Sequence, residues 1–206
     1  MWTHTKESQD RIAPLQALRL LQEGNLRFLN NLKADRNLLK QVNQTSEGQF
    51  PFATILSCID SRTSAELIFD QGLGDIFSIR IAGNILNDDI LASMEYACAI
   101  AKSKIIVVLG HTNCGAIISA CNNVEVGHIT TLLSKIKPAI GNVIDTIENR
   151  HGDNVLFVNN VSMANVRHTI RQIRGQSPII RELEVNGDIM VVGGFYHVEN
   201  GVVNFF

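Results

Sequence analysis

The chain has 206 residues, a formal charge of −2, 45% hydrophobic residues and only 18% charged ones. That length fits one domain with a sizeable core, and a charged fraction below the usual quarter predicts that part of the surface is covered in an oligomer. With no basic run nucleic acid is not expected as a partner, and with no apolar stretch of spanning length neither is a membrane.

Residues 1–14 lack the apolar core of a signal peptide, so a cytoplasmic location is expected, or a periplasmic one if a leader has been removed. Four cysteines in a chain this long read as reduced thiols, some of them ligands or nucleophiles, rather than as a disulfide framework.

In chain order, residues 1–13 are polar and read as loose. A helix is predicted from Pro14, with Leu15, Leu18 and Leu21 on one side, and Gly24-Asn25 interrupts or ends it before Leu26, Phe28, Leu29 and Leu32 continue the apolar pattern. Residues 34–50 read as a polar connecting arm. The apolar run Phe52-Ala53-Thr54-Ile55-Leu56 predicts a strand buried on both faces, as in a parallel sheet, delivering Cys58, Asp60, Ser61 and Arg62 at its carboxyl end.

Thr63-Ser64-Ala65-Glu66 has the spacing of a capping box and predicts a short helix through Asp70. Asp75–Ala82 reads as a second strand, and Asn87 or Asp88 as the cap of a helix carrying Leu91, Met94, Cys98 and Ala101. A third buried strand, Lys104–Leu109, ends in Gly110-His111-Thr112-Asn113-Cys114-Gly115, and a helix follows to about Asn122. Residues 129–150 read as helical with a break near Pro138; 154–174 open on an unassignable VLFV and continue as helix. Asp188–Val198 reads as a strand turning at Glu199-Asn200-Gly201 into Val202–Phe206. Alternating strands and helices predict a mostly parallel α/β sheet with a late antiparallel hairpin.

Two strand ends carry matching equipment. Cys58, His111 and Cys114 are ligand types suited to zinc, and three protein ligands leave a fourth tetrahedral position open, the mark of a catalytic rather than a closed site. Asp60 is placed to accept a hydrogen bond from a bound water, and Arg62 to hold Asp60 off the metal. Cys98 reads as core, and Cys121 lies too far along its helix from Cys114 to share one ion. His4, His128, His151, His168 and His197 have no paired ligand spacing. A phosphatase loop fails because the residue six after Cys58 is Ser64; a dinucleotide fingerprint fails because Phe77 stands where a third glycine is needed. From the residues alone, the reading stops at a water-activating zinc site.

Cys58-x-Asp60-Ser61-Arg62 with His111-x-x-Cys114-Gly115 resembles the β-class carbonic anhydrases. So do residues 74–84 (GDIFSIRIAGN), 95–97 (EYA), 177–180 (SPII) and the closing GVVNFF, the likeness running over roughly residues 12–206. The resemblance implies one Zn2+ on Cys58, His111 and Cys114, Asp60 and Arg62 as the catalytic pair, and reversible hydration of CO2 to bicarbonate. It implies a four-stranded parallel sheet extended by an antiparallel strand. An N-terminal helical arm (1–33) would lie over a partner beside the α/β zinc-binding catalytic portion (34–206), in a homodimer or tetramer.

Gln49 matches a glutamine that bonds substrate across the dimer interface, Phe77 and Tyr96 match pocket residues, and Gly115 lies beside the last ligand. Phe77 reads equally well as ordinary core. Ala82 stands where a larger side chain is common. Of a second bicarbonate pocket found in some relatives, Arg80 and Tyr196 look equivalent, but Ile55 replaces its tryptophan, which predicts an open site near neutral pH. The rival expectations are a hydrolase of CS2 or COS using the same site, and an inactive zinc-bearing regulatory protein.

Overall fold

Strand β1 (Ala53–Ser57) is buried along its whole length and lies inside the sheet, between β2 (Ile76–Arg80) and β3 (Ile105–His111), both parallel to it. In the computed structural model, which describes residues 3–206, β4 (Met190–Tyr196) continues the parallel set beyond β3, and β5 (Val203–Phe205) adds an antiparallel edge, giving the order β2-β1-β3-β4-β5. This is the predicted single-domain α/β architecture, including the late hairpin; Met1 and Trp2 of the expected loose N-terminus lie outside the described residues.

The helices are α1 (Lys6–Asp10), α2 (Pro14–Leu29), α3 (Leu38–Thr45), α4 (Ala65–Ile68), α5 (Asp88–Glu95, continued by a π-helical turn over Tyr96–Ile100), α6 (Gly115–Cys121), α7 (Gly127–Ser134), α8 (Lys137–Asn142), α9 (Val155–Gln176) and α10 (Pro178–Val185). Strand alternation divides the core. Ile105, Val107 and Leu109 join Ala17 and Leu21 of α2 and Ile68 of α4 on one face. Ile106 and Val108 join Ile90 and Met94 of α5, Val166 and Ile173 of α9 and Ile180 of α10 on the other. A third cluster, beyond the carboxyl ends of the strands, packs Cys58 and Cys114 with Ile117, Ile136 and Phe157.

Several boundaries differ from expectation. Helix α2 runs straight through Gly24-Asn25. A side chain at 24 would meet the Phe69 carbonyl oxygen at 1.8 Å, while Asn25 donates to the carbonyls of Ile68 and Gly201 and accepts from the Val203 N–H. Both residues serve close packing, not a break. The polar 34–50 arm contains α3, capped by Asn37, because Gln41 is buried and accepts from the Leu73 N–H. Residues 1–13 are likewise less loose than their composition predicts: α1 is pinned by Gln9, whose amide donates to Pro51 O and Ala101 O.

The capping box at Thr63 does not form. Ser64 is the N-cap of α4, which ends at Ile68, and the Thr63 hydroxyl instead donates to the carbonyls of Cys58 and Asp60. VLFV opens α9, with Val155 and Leu156 exposed and Phe157 and Val158 buried, after the Asn154 side chain caps it. Helical structure in the 129–150 segment stops at Asn142, where Arg150 closes the following loop by donating to the carbonyls of Ile140, Val143 and Thr146. Helix α10 was not anticipated from periodicity; Ser177 caps it and Pro178 opens it. Leu15, Leu26 and Leu29 on α2, and Leu32 just past it, remain exposed in the single chain.

Candidate metal centre

Cys58 lies one residue past β1, His111 is the last residue of β3, and Cys114 is the N-cap of α6. Adjacent parallel strands therefore deliver the three side chains to one edge of the sheet. All are buried, and their donor atoms lie within 4.8 Å of one another. Two thiolates held at about 2.3 Å by one tetrahedral ion stand about 3.8 Å apart; Cys58 Sγ and Cys114 Sγ stand 3.9 Å apart.

The histidine is oriented for the same purpose. Its Nδ1 lies 2.8 Å from Thr112 O, which can only accept, so the proton sits on Nδ1 and the Nε2 lone pair is free. That Nε2 is buried and has no hydrogen-bond partner among the described residues. A buried, unpartnered acceptor facing two thiols is what a soft metal ion would satisfy, so the donor set fits zinc.

The thiols are unequal. Cys58 is pulled down to about 4, chiefly because the Cys114 thiol donates to it, with the Gly83 N–H also donating at 3.4 Å. The same contact, together with burial, pushes Cys114 up. Gly83 reaches Cys58 from a left-handed backbone position (φ 68°). Cys98 and Cys121 lie outside the cluster; burial pushes them up to about 12 and about 11.

Asp60 and Arg62 form a two-pronged pair: Nε donates to Oδ1 at 2.9 Å and Nη2 to Oδ2 at 2.8 Å, while the Arg62 N–H donates to Oδ1 at 3.0 Å. These bonds hold the Asp60 carboxyl down to about 2. The Cys58-to-Asp60 turn is fastened from behind as well, since Arg80 of β2 donates to Cys58 O at 3.0 Å and Asp60 O at 2.6 Å. Ile55 is fully buried in the core and Tyr196 is 6% exposed.

The remaining candidates sit elsewhere. Gly115 is the first residue of α6, beside Cys114. Phe77 and Tyr96 share an open cavity of ≈ 390 Å³ with Ser78, Ile79, Ala92, Ser93 and Ala97, a lining that includes none of the Cys–His–Cys cluster. Gln49 lines another, with Val42, Glu47 and Leu73 among its neighbours. Sequence reasoning gave Thr63 to a capping box and weighed Arg80 only for the second bicarbonate pocket; Thr63 bonds back within its own turn, whereas Arg80 meets that turn only after folding. It also read Glu199 as a turn residue alone, although this carboxylate bonds Thr112 and Asn113 between two of the candidate ligands.

Fold and site thus define an α/β protein with a Cys-His-Cys centre able to hold a metal, beside a carboxylate–guanidinium pair at the carboxyl ends of parallel strands. The family model described as carbonic anhydrase matches residues 53–203. A carbonic anhydrase of Mycolicibacterium smegmatis is 33% identical over 197 residues, covering 92% of each chain. Carbonic anhydrase 2 of Mycobacterium tuberculosis is 32% identical over 189 residues, covering 91% of this chain and 90% of the relative. Among solved structures, a β-carbonic anhydrase from Sordaria macrospora, one of two described as tetrameric, superposes with a TM-score of 0.71 at 26% identity, covering 81% of this chain and 89% of that one. The chain belongs to the β-carbonic anhydrase family. Among the described residues, no helix is long and apolar enough to cross a membrane.

Proposed function

We propose that this chain is a zinc-dependent carbonic anhydrase that reversibly hydrates CO2 to bicarbonate and a proton, with Cys58, His111 and Cys114 as metal ligands and Asp60 and Arg62 as the orienting pair. The observation that carries the reading is the buried, unpartnered His111 Nε2 facing two thiols within 4.8 Å, in a chain of this family. Zinc, when bound, supplies the Lewis acidity that makes water a nucleophile near neutral pH.

The protein's part is orientation. A carboxylate offers about four lone-pair positions, and Arg62 fills three of those on Asp60 through its Nε, Nη2 and backbone N–H. One acceptor position remains, on Oδ2. There Asp60 takes the hydrogen bond of the nucleophile's O–H, so the lone pair points at CO2 instead of at the carboxylate. Arg62 also keeps Asp60 from swinging onto the metal, and Arg80 fixes the backbone that carries both. With Ile55 in place of the tryptophan of the second bicarbonate pocket, the site is read as open near neutral pH. Gln49, Phe77, Tyr96 and Gly115 are read as substrate-side residues, Gln49 acting across the interface of a homodimer or tetramer. The exposed leucines of α2 supply apolar surface for such a contact.

Stopped-flow CO2 hydration on protein of measured zinc content, from neutral to alkaline pH, tests the proposal. Rapid turnover at about one zinc per chain, already present near neutrality, is expected. Full zinc with no turnover at any pH sinks it and makes the chain a zinc-bearing binding protein.

A further inference from the structure

We infer that Glu199 is a positioning residue of the metal centre, a clasp across the loop that joins His111 to Cys114. This rests on the proposed reading of those residues as zinc ligands.

Glu199 lies in the turn between β4 and β5, and it is exposed. Its Oε2 accepts from the Thr112 hydroxyl at 2.8 Å and its Oε1 from the Asn113 amide at 2.9 Å. The Thr112 hydroxyl in turn accepts from the Val198 N–H at 3.0 Å, and the Thr112 N–H donates to Tyr196 O at 3.0 Å. The turn and the ligand loop are therefore stitched together by four bonds, two of them charge-assisted.

Each arm of the carboxylate leads to a different part of the centre. Through Thr112 it fixes the peptide whose carbonyl accepts from His111 Nδ1, which sets where Nε2 points. Through Asn113 it fixes a residue held in the left-handed region (φ 55°), whose carbonyl lies 3.5 Å from Arg62 Nη2, the nitrogen that also grips Asp60. An exposed carboxylate of this kind adds little to global stability. Its removal is expected to show at the metal rather than in folding.

The test compares zinc-loaded wild type with Glu199→Ala, Glu199→Gln and Thr112→Val. Zinc transfer to a chromogenic chelator and the visible spectrum of the cobalt-substituted proteins are read beside thermal midpoints. Glu199→Ala is expected to release zinc about 10- to 100-fold more readily and to shift the cobalt bands, with little change in midpoint. Glu199→Gln, which keeps the length and one acceptor, falls between it and wild type. Thr112→Val, which keeps the shape and loses the hydroxyl, repeats the defect and carries the test should Glu199→Ala fold poorly. Zinc release and cobalt spectra equal to wild type in Glu199→Ala and Thr112→Val overturn the clasp while leaving the zinc reading intact; Glu199→Gln as leaky as Glu199→Ala overturns its two-armed form. A wild-type chain that takes up no zinc overturns the zinc reading itself, and the clasp with it.

Discussion

The Arg62 guanidinium holds both oxygens of the Asp60 carboxylate, Nε on Oδ1 at 2.9 Å and Nη2 on Oδ2 at 2.8 Å, from a position only two residues along the chain. The Arg62 backbone N–H also donates to Oδ1, at 3.0 Å, so three bonds hold the carboxylate in one orientation. Substituting Arg62→Ala is expected to leave zinc content near one per chain and to lower kcat/KM about a hundredfold, the scale of misplacing a group at a reacting centre. Cys58→Ala and Cys114→Ala are expected to lose the metal outright. Metal analysis beside stopped-flow rates separates the two classes, and loss of zinc from Arg62→Ala contradicts the assigned roles.

The pH profile follows from the same pair. The Arg62 hydrogen bonds hold the Asp60 carboxyl down to about 2 from its ordinary 3.8, so it stays ionised throughout the neutral and alkaline range. Its contribution to stability is present above the ordinary value and is lost as pH falls through about 2. Turnover is therefore expected near neutrality with no limb set by Asp60. Activity that appears only at alkaline pH shows that Asp60 leaves Arg62 for the metal, and the reading of Ile55 is then wrong.

A second acidic anchor lies away from the site. Asp70, only 5% exposed, accepts from Arg27, from Arg36 and from the Ala34 N–H, tying α2 and the following arm to the end of α4. Burial alone pushes its carboxyl up, but the two guanidinium groups and the amide outweigh it and hold it below 3.8. Being lowered, it stabilises the fold above that pH and ceases to do so as pH falls through its own lower value. Asp70→Asn is expected to cost about 1.5–3 kcal/mol at pH 7, the range for losing hydrogen bonds made to a charged group. Urea midpoints of the two proteins are expected to converge on acidification; a constant gap contradicts the account.

Gly24 makes a purely steric prediction. With a Cβ only 1.8 Å from the Phe69 carbonyl oxygen, Gly24→Ala must push α2 away from the backbone after α4. A loss of about 1–3 kcal/mol is expected, the range for overpacking, although alanine is the better helix former. A variant as stable as wild type in thermal melts shows that the contact is looser than this.

Much of the site was legible before folding because its pieces are short-range. Cys58, Asp60 and Arg62 occupy five residues after one apolar run, His111 and Cys114 four residues after another, and adjacent parallel strands place such ends side by side. Composition and periodicity likewise led to the parallel sheet, its antiparallel edge and the core role of Cys98. Periodicity misled where polar side chains are buried for a partner. Gln41 makes a helix of an apparently featureless arm, and Asn25 with Gly24 makes a seam of an apparent break.

By itself, then, the sequence determined which residues stand at the strand ends, because alternation and apolar runs are local properties of the chain. Only the tertiary structure decided which atoms meet. It sets Arg80 behind the Cys58 and Asp60 carbonyls, and carries Glu199 across 86 and 87 residues to Asn113 and Thr112. Hydrogen bonds of that reach depend on where separate elements come to rest, and that is settled by packing over the whole molecule rather than by any window of residues.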